Sequence, residues 1–159
     1  MLKTAIVLLI NLAAATVAHA EGMCKFKELT VFNCELSKSI SSMCRYSDNG
    51  VLTYRNGIDG KVNFELSNYA NKNNPVFYFS NIPYAGGGEA HIRFANQEYI
   101  YYLYDKTVKT DEDPTFSSGI VIYKKQRKIS NLVCNNDASI RESAYESIAK
   151  EPYHPIGAK

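Results

Sequence analysis

Hydrophobic and polar residues alternate along most of the chain after residue 20, which is the pattern of half-buried β-strands. In the segments 62–66 and 89–94, apolar side chains occupy every second position and polar side chains stand between them. The predicted strands cover residues 32–36, 40–46, 51–55, 62–66, 76–79, 89–94, 99–104, 120–123 and 129–134. About eight short strands at this spacing predict an all-β fold, an antiparallel β-sandwich or barrel.

Residues that favour turns separate the predicted strands. Ser47–Gly50 forms one turn, and Asn56-Gly57 together with Asp59-Gly60 forms the next, because Asn-Gly and Asp-Gly tolerate positive φ. Asn96-Gln97 is a tight connection, and the charged segment 106–114 is a loop. The strands are therefore expected to follow one another as antiparallel neighbours.

The C-terminal segment is the one part of the mature chain that predicts a helix. Asp137 or Ser139 is a suitable N-cap, and Glu142 has the capping-box spacing to Ser139. Pro152 and Pro155 are expected to end the helix. The side chains expected to face the body of the protein are Ala144, Tyr145 and Ile148.

The first twenty residues have the organisation of a signal peptide. Lys3 is followed by an apolar run over residues 5–15, which is too short to span a bilayer, and Ala18-His19-Ala20 resembles a cleavage site. We therefore expect export, with residues 1–20 as signal peptide and residues 21–159 as a single disulfide-stabilised β domain. The short signal before a compact domain is typical of bacteria, which predicts a periplasmic location.

Charge argues against one class of partner. The chain carries 18 basic and 16 acidic residues, and removal of the leader takes away only one of these charges, Lys3. Binding to nucleic acid depends on neutralising phosphates, so this near-neutral balance predicts that nucleic acid is not a partner.

Four cysteines remain in the mature chain, and an even number after an export signal predicts two disulfides. Three pairings are open. We favour Cys34–Cys44, because these residues flank a predicted hairpin symmetrically about Ser39, and Cys24–Cys134 would then join the start of the chain to its last strand. The wide spacing of the cysteines is unlike that of zinc sites, so no metal is predicted there.

Motifs that would indicate catalysis are missing from the sequence. His91 lies on the predicted polar face of a strand and is interpreted as a solvated residue, and His154 lies in the proline-rich tail. No nucleophile elbow, zinc-protease motif or phosphate loop is present, so no catalytic residue and no cofactor are predicted. Asp111-Glu112-Asp113 is interpreted as solvated carboxylates, with calcium binding as the alternative.

Glycine and tyrosine provide the most unusual local features. Gly86-Gly87-Gly88 follows Tyr84 and Ala85, and it is either a bulge or bend in a strand or a loop whose backbone approaches a partner. Tyrosines crowd the predicted strand 99–104 on both of its faces. One face is expected to belong to the core, and the other is either covered or available for binding.

The sequence resembles a group of small, exported, poorly characterised bacterial β proteins. The residues that carry the resemblance are Val31–Cys34, Lys38, Cys44, Leu52–Gly57, Gly86–Phe94, Tyr99–Tyr104, Gly119–Ile122 and Ile129–Cys134. Proteins of this kind are similar to periplasmic immunity proteins, which neutralise secreted toxins that attack the cell wall. A looser similarity links them to the periplasmic lysozyme inhibitors.

The resemblance implies a binding protein whose partner is a secreted cell-wall hydrolase or transpeptidase toxin. A rigid scaffold favours tight inhibition because its loops lose little entropy on docking. The predicted contact residues are Tyr84, Gly86, Gly87, Gly88 and Glu89, with Tyr54 and Arg55 as a second choice. A lysozyme inhibitor and an envelope carbohydrate- or ligand-binding module are the alternatives.

Overall fold

Ten β-strands and one short α-helix make up the computed structural model, which describes residues 21–68 and 74–158. The elements are β1 (Glu28–Glu35), β2 (Ile40–Tyr46), β3 (Leu52–Ile58), β4 (Lys61–Ser67), β5 (Tyr78–Tyr84), β6 (Gly87–Asn96), β7 (Tyr99–Val108), β8 (Thr115–Lys124), β9 (Arg127–Val133), α1 (Ser143–Ser147) and β10 (Ala149–Lys150). The predicted signal peptide, residues 1–20, lies outside the described residues.

The strands form two separate sheets. One sheet has the order β1-β2-β3-β4, and the other has the order β10-β5-β6-β7-β8-β9. All neighbours are antiparallel except β10, which pairs in parallel with β5. The all-β prediction is therefore confirmed, and of its two forms the sandwich is correct, because the two sheets do not close into a barrel.

Aromatic side chains fill the space between the two sheets. Tyr54 on β3 contacts Phe94 on β6, with ring centroids 4.5 Å apart, and Phe94 stacks on Tyr101 at 4.9 Å. Fully buried Ile92 and Leu103, which are cross-strand partners on β6 and β7, belong to the same core. Their burial follows from the alternation in the sequence, which places each of these side chains on one face of its strand.

The turn predicted at Asn56-Gly57 is wrong. Both residues lie within β3, where the pairing with β4 shifts by one residue, and the chain reverses at Asp59-Gly60 instead. Asp59 and Gly60 both have positive φ, which suits a tight hairpin. The Asn56 side chain is used within the sheet, where its Nδ2 donates a hydrogen bond to Ser41 Oγ at 2.7 Å.

The disulfide pairing is also different from the favoured prediction. The bonds join Cys24 to Cys44 and Cys34 to Cys134. Cys34 pairs across the sheet with Ser41, not with Cys44, because the β1–β2 hairpin turns earlier than Ser39. Cys44 lies three residues after Ser41 on β2, so the two cysteines are on opposite faces of the sheet and out of reach of one another.

The N-terminal segment covers the outer face of the four-stranded sheet. The Cys24–Cys44 bond fixes this segment to β2, and the Met23 amide donates a hydrogen bond to Ser42 Oγ at 2.9 Å. Arg55, only 3 % exposed, donates hydrogen bonds to the carboxylate of Glu28 at 2.6 and 2.8 Å. The outer face of this sheet is therefore buried although it is polar, and it contains a buried ion pair.

The C-terminal tail, residues 151–158, covers the outer face of the six-stranded sheet. Arg93 on β6 forms a two-pronged ion pair with Glu151, in which Nε donates to Oε1 at 2.8 Å and Nη2 donates to Oε2 at 2.6 Å. Tyr123 Oη donates a hydrogen bond to the Ile156 carbonyl oxygen at 3.1 Å. Ile156 packs against this face of the sheet. The tail is therefore part of the folded structure, although its sequence does not predict a regular element.

The predicted C-terminal helix is present but shorter than its sequence signals indicate. It spans Ser143–Ser147, begins after Glu142, and has no side-chain capping hydrogen bond, so the proposed caps Asp137 and Ser139 are wrong. Ala144 is buried as predicted, whereas Tyr145 is 40 % exposed.

The two disulfides indicate folding in an oxidising compartment outside the cytoplasm. None of the helices in the described part of the chain has the length and apolar character needed to cross a bilayer.

Candidate functional site

The three glycines at residues 86–88 lie in a tight hairpin between β5 and β6. Tyr84 pairs with Gly87, so only Ala85 and Gly86 form the turn, and Gly86 has a φ of 81°. A Cβ atom on Gly87 would overlap the Thr107 carbonyl oxygen of β7. We call residues 82–88 the glycine hairpin. The glycines let it pack directly on β7, which makes its tip a stiff feature of the surface.

Two exposed apolar side chains lie on the glycine hairpin. Ile82 and Tyr84 occupy alternate positions of β5, and each is 37 % exposed. The Tyr84 hydroxyl donates a hydrogen bond to the Gly88 carbonyl oxygen at 3.2 Å, which ties the ring to the opposite strand of the hairpin. The hairpin therefore presents an apolar surface in a fixed orientation.

A groove runs beside the hairpin, along the ends of β6, β7 and β8. It consists of two adjoining cavities of about 400 and about 610 Å³, which share Asp105 and Thr107 on β7. Tyr145 of α1 lines the first cavity, and Phe116 of β8, which is 75 % exposed, lines the second. We call this feature the strand-end groove.

Asp105 is the half-buried carboxylate at the junction of the two cavities. Its Oδ2 accepts a hydrogen bond from the Ile140 amide at 3.1 Å. Burial raises the pKa of Asp105, and the hydrogen bond from Ile140 opposes this effect. The charge of Asp105 also contributes to a raised pKa of Tyr145, after the larger effect of burial. No lysine or arginine lines either cavity in the described structure.

Glu89 and His91 form a buried pair on the face of the six-stranded sheet opposite to Asp105, the face that also carries Ile82 and Tyr84. His91 Nε2 lies 2.7 Å from Glu89 Oε1, and Lys106 Nζ lies 4.0 Å from the second carboxylate oxygen. Burial lowers the pKa of His91, and the hydrogen bond with Glu89 opposes this effect. The solvated position predicted for His91 is wrong, because Tyr153 of the tail stacks on its ring.

The predicted contact residues fall into two groups. Tyr84 and the three glycines belong to the glycine hairpin, whereas Glu89 directs its carboxylate to the buried His91. The second choice, Tyr54 and Arg55, is wrong as a contact surface, because both side chains are buried. Tyr54 is in the core, where burial raises its pKa to about 12, and Arg55 is held by Glu28.

The predicted acidic loop stays separate from this site. Asp111, Glu112 and Asp113 are exposed, and among the described residues they do not belong to any group with metal-ligand spacing. Among the described residues, the one group with metal-ligand spacing contains Cys24 and Cys44, whose sulfurs are joined in a disulfide.

Asp105, Thr107 and Tyr145 are the site residues that the sequence interpretation missed. A signal for Asp105 was present, because it lies two positions after core-facing Leu103 and therefore on the same face of β7. A carboxylate that follows apolar residues on the same face of a strand indicates where the core ends. Tyr145 had no such signal, since its position depends on how the helix meets the sheet.

No protein-family model, curated protein or solved structure matches this chain. The class that the fold and site define is a disulfide-linked β-sandwich, in which a stiff hairpin exposes apolar side chains on one face of the six-stranded sheet and an acidic groove lies on the other face.

Proposed function

We propose that this chain is a periplasmic inhibitor of the immunity-protein type, which binds a peptidoglycan-targeting toxin enzyme and blocks it. The observation that carries the proposal is the glycine hairpin, where Ile82 and Tyr84 are exposed on a backbone that glycine packing holds in place. Exposed apolar residues on a rigid element are typical of protein contact surfaces. A stiff hairpin loses little conformational entropy when it binds, which favours tight inhibition.

Occlusion is the simplest mechanism for such an inhibitor. The hairpin would enter the substrate cleft of the enzyme, and Tyr84 would provide the central contact. The chain would act by binding: the ring of His91 is buried, its Nε2 is held by Glu89, and its Nδ1 has no hydrogen-bond partner among the described residues. Export to the periplasm places the inhibitor in the compartment where peptidoglycan is attacked.

A photo-crosslinking experiment tests this proposal directly. A photoreactive phenylalanine analogue replaces Tyr84, and a second protein carries it in place of Val62, which is 42 % exposed on the other sheet. Both proteins are irradiated in the periplasm of cells that receive cell-wall toxins. We expect a crosslink to a peptidoglycan hydrolase or transpeptidase from position 84 and none from position 62. Crosslinks of equal yield from both positions, or none to such an enzyme, would contradict the proposal.

Inhibition of a lysozyme is a second candidate that one observation favours. The strand-end groove contains Asp105 and Asp137 and is lined by no lysine or arginine in the described structure, so it suits a basic protein surface. A turbidity assay with lysozyme separates the two candidates, because only a lysozyme inhibitor slows this lysis. The carbohydrate-binding alternative has less support, since three of the four tyrosines of β7, Tyr101, Tyr102 and Tyr104, are packed in the core or under the tail.

A further inference from the structure

Asp105 is a carboxylate for which the fold provides no counter-ion. The Ile140 amide is its hydrogen-bond donor, and no described basic side chain forms an ion pair with it. Lys106, the next residue, points to the opposite face of the sheet, where its Nζ donates to the Ala158 carbonyl oxygen at 3.3 Å. A half-buried charge without an opposite charge beside it is costly, and it favours a ligand that brings the opposite charge.

The space beside Asp105 is large enough for a side chain from another protein. The two cavities that meet at Asp105 have volumes of about 400 and about 610 Å³ and are both open to the surface. Their floor is made of small residues, among them Gly88, Ala90 and Ser118. A long, unbranched side chain could therefore reach the carboxylate without moving the backbone.

The walls of the strand-end groove suit a flat cation. Tyr145 stands on the side of the first cavity and Phe116 on the side of the second, and both rings are partly exposed. A guanidinium group stacks on aromatic rings and forms two-pronged hydrogen bonds with a carboxylate, whereas an ammonium group does neither as well.

We propose that the strand-end groove binds an arginine side chain of the partner protein, with Asp105 as its counter-ion. The partner that supplies the arginine is the enzyme of the proposed function, on which this inference rests. Ile82 and Tyr84 of the glycine hairpin lie on the face of the sheet opposite to Asp105, at the edge formed by β5. A partner that reaches around this edge would make the apolar contact on one face, and the charge pair in the groove on the other face would fix its orientation.

A free probe tests the groove independently of any partner. N-acetyl-arginine amide and its neutral analogue N-acetyl-citrulline amide are titrated into the oxidised mature protein, and amide shifts are followed by NMR. We expect saturable shifts at Gly88, Asp105 and Thr107 with the arginine probe and no saturation with citrulline. Equal responses to the two probes, or none to either, would overturn the inference.

Variants show whether Asp105 is responsible for binding the arginine probe. Asp105→Asn keeps an oxygen that can accept the Ile140 hydrogen bond, and we expect it to weaken binding of the arginine probe by about tenfold or more. Thr107→Arg places a guanidinium in the groove within the same chain and should also abolish probe binding. The control Asp59→Asn removes the same charge from the hairpin of the other sheet and should leave the affinity unchanged. Unchanged affinity in Asp105→Asn would contradict the inference.

The same variant separates this inference from the proposed function. If the crosslinked enzyme binds wild-type and Asp105→Asn proteins equally, the groove inference fails while the inhibitor proposal stands. If the arginine probe binds through Asp105 but position 84 crosslinks no cell-wall enzyme, the groove stands and the inhibitor proposal fails.

Discussion

The ring of His91 on β6 lies against the ring of Tyr153 in the C-terminal tail, with centroids 5.1 Å apart. This contact joins a strand in the middle of the six-stranded sheet to a segment that has almost no regular secondary structure. It excludes water from His91, whose side chain is fully buried. Burial in turn raises the pKa of Tyr153 to about 12, with a further contribution from the charge of Glu89.

Burial of His91 predicts a loss of stability in mild acid. Its pKa is lowered in the folded protein, mainly by burial, and Glu89 offsets only part of this effect. The unfolded chain therefore takes up a proton at this residue at a higher pH than the folded chain does. The resulting stability is present above the ordinary histidine pKa of about 6.5 and is lost as the pH falls below it.

Urea unfolding at several pH values between neutrality and mild acid measures this effect. The variant His91→Gln retains a donor for Glu89 but cannot titrate, so its free energy of unfolding should fall less steeply toward acid than that of the wild type. The same pH dependence of the free energy of unfolding in both proteins would show that His91 does not contribute to the loss of stability in acid.

Arg55 should be among the most sensitive polar positions. The variant Arg55→Met leaves the buried carboxylate of Glu28 without its ion-pair partner and with the Lys25 amide as its remaining hydrogen-bond donor, and we expect a loss of about 3–5 kcal/mol in the free energy of unfolding. Hydrogen bonds from Arg55 hold the pKa of Glu28 below its ordinary value despite burial, which acts in the opposite direction.

A surface pair supplies the control for this variant. Lys27 and Asp48 form an ion pair with side chains that are 50 % and 58 % exposed, so Lys27→Met should cost less than about 1 kcal/mol. Similar losses in Arg55→Met and Lys27→Met would contradict the buried role of Arg55.

The two disulfides should differ in their contribution to stability. Cys34 and Cys134 are 100 residues apart, whereas Cys24 and Cys44 are 20 apart. In the chain-entropy model, the longer loop contributes about 4–5 kcal/mol and the shorter about 3 kcal/mol. Denaturant unfolding of the two double Cys→Ser variants should therefore find the Cys34/Cys134 variant less stable.

Peptide mapping without reduction checks the pairing itself. The expected fragments join Cys24 to Cys44 and Cys34 to Cys134. A fragment that joins Cys34 to Cys44 would mean that the β1–β2 register is wrong.

Gly87 should not tolerate a side chain. A Cβ atom at this position would overlap the Thr107 carbonyl oxygen, so Gly87→Ala must displace the backbone of β7. We expect it to lower the free energy of unfolding several times as much as a simple turn substitution does. Gly60→Ala provides the comparison. It also sits in a hairpin, with a φ of 74°, but nothing lies near the added carbon, and the backbone penalty alone is about 1–2 kcal/mol. Thermal unfolding that ranks the two variants equally would contradict the packing of the hairpin on β7.

Local sequence patterns predicted nine of the ten strands, although several of their ends differ. β5 spans Tyr78–Tyr84 where residues 76–79 were predicted, and β7 continues to Val108, into the predicted loop 106–114. Alternation in β6 and β7 correctly places Ile92, Phe94 and Leu103 on one face, because period-two burial depends only on neighbouring residues. The same reasoning placed Glu89 and His91 on a polar face, and they do share that face. Their burial could not be predicted, because it results from a tail that lies far along the chain.

Long-range geometry explains the other errors. The symmetry that favoured Cys34–Cys44 depends on where the β1–β2 hairpin turns. The actual turn pairs Cys34 with Ser41, which places Cys44 on the opposite face of the sheet. The second-choice contact residue Arg55 would need to be exposed, and its burial depends on Glu28 from a different strand. The strand-end groove depends on how α1 meets the sheet.

The most direct test of the central claim is inhibition of the crosslinked enzyme by the purified mature chain, measured as the rate of peptidoglycan digestion. The wild-type protein should inhibit at equimolar amounts, and the double variant Ile82→Ser/Tyr84→Ser should not. The control Ile58→Ser/Val62→Ser removes two exposed apolar side chains from the other sheet and should inhibit like the wild type. Digestion that continues at full rate with the wild-type protein, or inhibition that survives loss of Ile82 and Tyr84, would contradict the account.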